Sequence, residues 1–385
     1  MSHVLTGLDV LLRDDWAPLA RRRIGLLTNQ TGVARDLRDN VALLAASGRT
    51  RLRAIFAPEH GLLGTAQAGA AVTDSVERRT GTPVYSLYGA RRAPTPEQLA
   101  DLDALVFDVQ DVGARYYTYL DTMRLAMIAV AAAGRTFVVL DRPNPLGGDV
   151  VEGLPPFDER LRSSVACAPL PIRYGLTLGE AAVWIARAES LDLDLHVVRM
   201  AGWSRAMAFE DTGLAWIPPS PNMPAADTAR VYPGTCLLEG TNASEGRGTT
   251  RPFEVFGAPW VDGHALAASL NARRLPGVVF RATSFTPAFS KHAGAVCEGA
   301  QAHVFDTRAF SPVRTGIEVV AALLHGHSDF AFLGEGGRRP FDALLGTDAV
   351  RLALEAGTPA EGICAEWAER EAAYSADSRG CWLYA

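Results

Sequence analysis

The sequence predicts an α/β protein: a mostly parallel sheet covered by helices over residues 1–225, then a smaller α+β part over 226–385, with an active-site cleft between them. Three observations carry this expectation. Strand-like and helix-like stretches alternate from residue 22 to residue 200. The strand interiors are near-continuous Leu, Ile, Val and Phe, which marks strands buried on both faces. The alternation breaks at IPPSPNMPAADTARVYPG (217–234), which holds five prolines and no period, as expected of a junction between two parts.

The elements follow in order. A first strand, 22–32, ends in TNQTG. DLRDNVALLAASG then places Leu37, Val41 and Leu44 on one helical face, with Gly48 as the stop. RLRAIFAPEHG (51–61) is a second strand and VYSLYG (84–89) a third. A short helix follows, with Thr95 as N-cap, Pro96 in its first turn and Gln98 closing a capping box. DALVFDVQDVG (103–113) is a fourth strand, and 119–133, apolar almost all round, is a buried helix. RTFVVLDRPNP (135–145) is a fifth strand. Beyond a Pro/Gly-rich crossing, Thr177 and Glu180 open a helix over 178–190, and LDLHVVRM (193–200) is a sixth strand. In the second part, 277–285 and 301–306 read as strands and 316–325, 348–356 and 360–373 as helices, with Thr315 and Glu318 expected to form a capping box.

Composition narrows the function. The net charge is −6 and Lys291 is the single lysine. With no basic stripe, a nucleic-acid partner is not expected. Five cysteines, odd in number and without a C-x-x-C pair, fit neither a disulfide framework nor a zinc knuckle and suit a reducing compartment. MSHVLTGLDVLLRDDW has Asp9 inside its apolar run and no basic leader, which predicts a cytoplasmic chain without a signal peptide. The longest strongly apolar stretch, 125–133, is too short to span a bilayer, so no membrane partner is expected.

In a doubly wound sheet, chemistry collects at the carboxyl ends of the strands. Those ends carry Asn29 and Gln30; Glu59 and His60; Asp108, Gln110 and Asp111; and Asp141, Arg142 and Asn144. A dinucleotide is excluded because the first βα turn is TNQTGVA rather than G-x-G-x-x-G, and GTNASEGRG lacks both the spacing and the lysine of a phosphate loop. No G-x-S-x-G elbow is present. The histidines form no H-E-x-x-H pattern, so no metal and no cofactor are expected.

Carboxylate chemistry remains. Glu59, between Pro58 and Gly61 at a strand end, is the leading candidate, set against the ordinary role of a lone loop Glu as a turn or cap. In YPGTCLLEGTNASEGRGTTRPFE (232–254), Glu239 and Glu245 are candidates for a second carboxylate, while Glu254 is expected to pair with Arg251. Asn242, Arg247 and Arg251 are expected at the same ligand edge. DVQDVGARYYTY (108–119) adds Arg115, Tyr116 and Tyr117. Aromatics beside carboxylates and amides suit a sugar, whose ring faces stack while its hydroxyls take paired hydrogen bonds.

LLTNQTG, APEHG, DVQDVGARYYTY, LDRPNP, PPSPNMP, the 232–254 stretch, FSKHAG and FDALLGTDAVRLALEAG occur in this order, and together they resemble the exo-β-N-acetylmuramidase family. The resemblance implies a Rossmann-like N-terminal domain and a C-terminal auxiliary domain with the active site between them. It implies removal of a terminal N-acetylmuramic acid from the non-reducing end of peptidoglycan fragments, with muropeptide or MurNAc-GlcNAc pieces as the partner. Carried over by motif, the catalytic glutamate is Glu59. His60 and Asp111 are expected as its orienters, Glu239 or Glu245 as the second group, and Asn222 of PPSPNMP and His292 of FSKHAG as substrate contacts. Arg115, Arg247 or Arg251 would clamp the lactyl carboxylate. Two other readings stay open: a sugar- or muropeptide-binding protein without turnover, and a metallohydrolase using His60, Asp108 and Asp111.

Overall fold

The computed structural model describes residues 3–14, 16–334 and 339–385. Its first half contains α1 (Gly7–Arg13), β1 (Arg23–Thr28), α2 (Asn40–Ala46), β2 (Arg51–Ala57), β3 (Ser75–Val76), β4 (Pro83–Ser86), α3 (Pro96–Ala100), β5 (Ala104–Asp108), α4 (Tyr119–Ala132), β6 (Thr136–Leu140), α5 (Leu178–Ala188) and β7 (Asp194–Val198). The second half contains α6 (Ala226–Thr235), β8 (Val255–Ala258), α7 (Gly263–Ala272), β9 (Val278–Phe285), β10 (Cys297–Val304), α8 (Pro312–Gly326), α9 (Pro340–Leu345), α10 (Ala349–Glu355), α11 (Ala360–Ala365) and α12 (Ala368–Ser378).

The strands form a seven-stranded sheet, β3-β4-β2-β1-β5-β6-β7, and a separate three-stranded sheet, β8-β10-β9. In the large sheet only β3 is antiparallel, paired to β4; β1 pairs in parallel with β2 on one side and β5 on the other. Without the edge strand β3, the order is the 3-2-1-4-5-6 of dinucleotide-binding folds. Interior strands such as β5 and β6 are buried at every position. The small sheet is antiparallel throughout.

Several elements differ from expectation, each for a local reason. β3 is two residues long and too short to show a period. α6 runs through Pro233, so the proline-rich stretch that reads as irregular is partly helical. α1, closed by a capping box between Thr6 and Asp9, and β8 and α7 were not anticipated. α8 begins at Pro312 rather than 316, which puts Thr315 and Glu318 inside the helix. Glu318 therefore closes no capping box and pairs with Arg273. The stretch 360–373 divides at Glu366 and Trp367 into α11 and α12.

One sheet face packs on α1 and α2 through Leu8, Leu11, Ile24, Leu26, Val41 and Leu44. The other face belongs to a single apolar cluster that runs without a break from Phe56 and Phe107 through α4 and α5 to Tyr232, Phe253, Phe280 and α8. The two halves thus share one core. They are also laced by polar contacts: the Tyr374 hydroxyl donates to the Tyr174 carbonyl at 3.0 Å, and the Tyr384 hydroxyl donates to the Asp141 carboxylate at 2.5 Å. Such a shared core does not open as a hinge, so catalysis by closure of two rigid lobes is not what this architecture offers. Among the described residues no helix is long and apolar enough to cross a membrane.

Candidate active site

In this strand order, the crevice at the carboxyl ends of β1 and β5 is the usual ligand position. Here it is filled. Asp108, with no solvent exposure, accepts Arg142 Nε–H at 2.6 Å on one oxygen and Asn40 Nδ2–H at 2.7 Å on the other. Thr28 donates to the Asp108 carbonyl at 2.7 Å, and Arg142 also donates to the Val33 carbonyl at 2.9 Å. Asn29 accepts from the Thr31 backbone and hydroxyl at 3.0 and 2.6 Å. Gln110 donates to the Asp111 and Pro143 carbonyls, both at 2.8 Å. Asn144 donates to the Leu176 carbonyl and accepts from Leu146 N–H. Asp111 accepts from Gly113 N–H at 2.7 Å and from the Tyr174 hydroxyl, and burial pushes its carboxyl up to about 6.

The candidate cavity lies to one side, over the ends of β2 and β4 and under the start of α4. It encloses about 240 Å³ and is lined from the first half by Glu59, His60, Tyr88, Tyr117 and Thr118, among others. β2 ends at Ala57, and the turn that follows delivers Glu59 inward. His60 adopts φ 72° and Gly61 φ 78°, a left-handed pair that reverses the chain immediately after the carboxylate. This backbone is strained for a histidine. The Glu59 carboxylate is buried. One oxygen accepts from the Thr118 hydroxyl at 2.6 Å and the other from Gly69 N–H at 3.1 Å. Thr118 is the residue before α4 but has helical dihedrals and makes no side-chain cap; its hydroxyl serves Glu59 instead.

His60 Nδ1 lies 2.7 Å from the Ala66 carbonyl. A carbonyl only accepts, so Nδ1 carries the proton and Nε2 is left as the imidazole's lone pair. Burial lowers the imidazole's pKa, which keeps the ring neutral near pH 7. Tyr88 stands nearby, its hydroxyl pushed up to about 12 by burial and then by the Glu59 charge.

The second half supplies the opposite wall with Tyr232, Glu239, Arg247 and Phe253. Edge-to-face contacts link Tyr232 to Tyr116, Tyr117 and Phe253 at centroid distances of 5.5, 5.7 and 4.8 Å. This packing fixes the wall's shape. Arg247 lies over Phe253 at 5.0 Å and grips one Glu239 oxygen through Nε at 3.0 Å and Nη2 at 2.5 Å. Glu239 is about one-third exposed, its side chain at 31%. Although that edge of the side chain is open to the cavity, the surrounding protein desolvates the carboxyl and holds it above the usual range, against the Arg247 cation and with help from the Glu245 charge.

The structure therefore brings Glu59, His60, Tyr116, Tyr117, Glu239 and Arg247 to one cavity. Glu245 is not on its wall: the carboxylate is 2% exposed and lies between Arg247 at 3.4 Å and Lys291 at 2.8 Å. Asn29, Asp108, Gln110, Asp111 and Asn144 are held in the filled crevice. Gln30 donates to the Pro218 carbonyl at 2.7 Å. Arg115 is buried, donating to the Leu170 and Leu344 carbonyls at 2.8 and 2.6 Å, and so pins the halves together away from the cavity. Arg251 pairs with Glu254 at 3.0 Å. Asn242 bonds Asp329 and Ala331, and His292 bonds the Asn242 carbonyl. Asn222 binds Gln67 at 3.1 Å, which steadies the loop that carries Gly69. His60, Asp108 and Asp111 do not converge. Among the described residues no group of three or more His, Cys, Asp and Glu is placed to hold a metal ion.

Thr118, Tyr88, Gly69, Ser164, Ser220 and Tyr232 line the cavity without having been anticipated in that role. Tyr88 carries a signal, since it lies at the end of the third expected strand, just past the observed β4. Thr118 is hidden among tyrosines in YYTY. Nothing in the sequence marks Gly69 or Ser164.

Two family models cover most of the chain: the N-terminal part of exo-β-N-acetylmuramidase NamZ matches residues 24–227, and its C-terminal part matches 230–384. The chain is 48% identical over 361 residues to the peptidoglycan β-N-acetylmuramidase NamZ of Bacillus subtilis (strain 168), covering 94% of this chain and 86% of that protein. It also resembles crystal structures of two DUF1343 family proteins from Bacteroides fragilis NCTC 9343. One has a TM-score of 0.91 at 35% identity and the other 0.78 at 28%, each comparison covering 100% of this chain and 99% of the other.

Proposed function

The chain belongs to the exo-β-N-acetylmuramidase NamZ family, and from that premise we propose that it hydrolyses the β-glycosidic bond of a terminal N-acetylmuramic acid at the non-reducing end of peptidoglycan fragments. The observation that carries this reading is the presence of two carboxylates, Glu59 and Glu239, from different halves of the chain on the walls of one aromatic-lined cavity. Glycoside hydrolysis through an oxocarbenium-like transition state needs a group to protonate the leaving oxygen and a second to act as nucleophile or activate water. Glu59 is the acid/base, held by Thr118 and Gly69. Glu239 is the second carboxylate, and the neutral His60 accepts a substrate hydroxyl through Nε2.

Of the three arginines considered for the lactyl carboxylate, Arg247 is the one on the cavity wall. Its Nε and Nη2 hold Glu239, and Nη1 is the nitrogen left for the substrate. A volume of about 240 Å³ lies below the ~300 Å³ of pockets for larger ligands. That suits one sugar ring and hence action at a chain end on muropeptide or MurNAc-GlcNAc pieces. All five cysteines are unpaired, which supports a reducing, cytoplasmic setting.

A pair of chromogenic substrates tests the reading. The β-N-acetylmuramide is expected to release its chromophore and the β-N-acetylglucosaminide, which lacks the lactyl group, to be a poor substrate. Turnover of the glucosaminide alone would overturn the assignment.

A further inference from the structure

Lysine is nearly absent from this chain: of 37 Lys and Arg residues, Lys291 is the single lysine. Its position beneath the cavity wall accounts for the exception. Lys291 Nζ lies 2.7 Å from the Leu238 carbonyl, 2.9 Å from the Thr241 carbonyl and 2.7 Å from the Ala243 carbonyl. A fourth oxygen, Glu245 Oε2, lies at 2.8 Å. The three ammonium protons go to the three carbonyls. The carboxylate oxygen makes no directed hydrogen bond and is held by charge. A compact ammonium can be surrounded in this way, whereas a planar guanidinium, whose donors lie in one plane, cannot. The three carbonyls belong to the turn that presents Glu239. The chain on either side of Lys291 is strained to place it, with Ser290 at φ 71° and His292 at φ 57°.

Charges alternate outward from this point: Lys291, Glu245, Arg247, then Glu239 at the cavity. Arg247 stands between two carboxylates, at 2.5 Å from Glu239 and 3.4 Å from Glu245. Glu245 is buried, and a buried carboxylate without a counter-charge is costly enough to draw in the nearest cation. That cation would be Arg247.

We propose that Lys291 is a positioning residue: by occupying Glu245 and clasping the turn 238–243, it keeps the Arg247 guanidinium on Glu239 at the cavity wall. This rests on the muramidase reading for its chemistry, and on geometry alone for the placement of Arg247.

The test uses the full chain as wild type, Lys291→Met, Lys291→Arg and the double variant Glu245→Gln/Lys291→Met. Two readouts are taken, kcat and KM on the chromogenic muramide against pH, and titration of Glu239 by NMR of carboxyl-labelled glutamate. Thermal melts identify the folded variants. The groups that bear on Glu239 are Arg247, Glu245 and Lys291, with the hydroxyls of Tyr116 and Tyr232 and the Cys236 thiol close enough to sense it.

For folded Lys291→Met the expectation is a kcat lower by about 10²-fold, the scale of a small misplacement of a working group, with a higher KM because Arg247 also leaves the lactyl carboxylate. The Glu239 titration should move to higher pH, because Arg247 has been drawn toward Glu245. Neutralising Glu245 in the double variant should recover about tenfold of kcat and return the titration toward wild type. Lys291→Arg should not rescue. Wild-type behaviour of folded Lys291→Met or Lys291→Arg overturns the proposal, as does a double variant no better than the single one. If the wild type turns over no muramide, the substrate reading fails, and the NMR titration still decides the role of Lys291.

Discussion

Two regions at the carboxyl edge of the same sheet are equally rich in polar side chains and are built for opposite purposes. In the crevice between β1 and β5, Asp108 and Arg142 answer each other, and Asn40, Thr28, Gln110 and Asn144 are bonded to one another or to backbone. Over β2 and β4, Glu59, the free nitrogen of His60 and the Glu239–Arg247 pair face an open volume. Polar residues whose partners lie within the protein hold the sheet ends together. Those with remaining hydrogen-bonding capacity on a cavity wall can meet a substrate. The crevice that binds cofactors in related folds has become part of the scaffold, and the cavity lies two strands over.

The largest expected contrast comes from matched isosteric changes in the two regions. Glu59→Gln should lower kcat by about 10²–10⁴-fold, the range for loss of a general acid/base, with little change in the denaturation midpoint. Asp108→Asn should do the reverse. Removing one partner of a buried ion pair costs about 3–5 kcal/mol, seen in a denaturant melt, while the folded fraction keeps its kcat. Equal activity losses in the two folded variants would erase the distinction.

A second contrast is in pH. Burial raises the Asp111 carboxyl from 3.8 to about 6. The folded protein therefore holds this proton where the unfolded chain has released it. The linked stabilisation is complete below pH ~4 and lost as pH rises through ~6, and at most it amounts to about 1–3 kcal/mol. Melts from pH 4 to 7 should show this fall in the wild type and a flatter profile in Asp111→Asn. The kcat–pH curve of the two proteins should coincide, because Asp111 belongs to the scaffold region.

The smallest effect is expected at Thr118, where the hydroxyl touches the working carboxylate and no helix donor. Thr118→Val should reduce kcat by about tenfold, consistent with loss of one hydrogen bond to a charged group, without loss of thermal stability. A lowered melting temperature with unchanged kcat would move Thr118 to the scaffold side of the comparison.

The parallel strands were legible because continuous apolar runs between turn residues have few other uses in a chain of this length. β3 and α6 were not, the first for its brevity and the second because Pro233 and its neighbours mimic an irregular crossing. Glu59 and His60 could be singled out because they end a strong strand and sit beside Gly61. Composition placed Asp108, Asp111 and Arg115 on the same footing, and only their three-dimensional partners separate them. The choice between Glu239 and Glu245 was likewise closed to sequence. A 3-10 turn over Cys236–Gly240 sets which glutamate reaches the cavity, and Lys291, some fifty residues further on, takes up the other.

Thr118 has a consequence beyond the reaction. A serine or threonine that caps its own helix typically contributes about 1 kcal/mol, and α4 begins without that contribution: Thr118 has helical dihedrals, which suit no cap, and its hydroxyl is bound to Glu59. Populations selected for heat resistance alone, with no demand for turnover, would gain by refolding the entry to α4 around an extended capping residue here. Drift at residue 118 should then run toward sturdier and inactive descendants, a direction open to any copy of the gene that has lost its task.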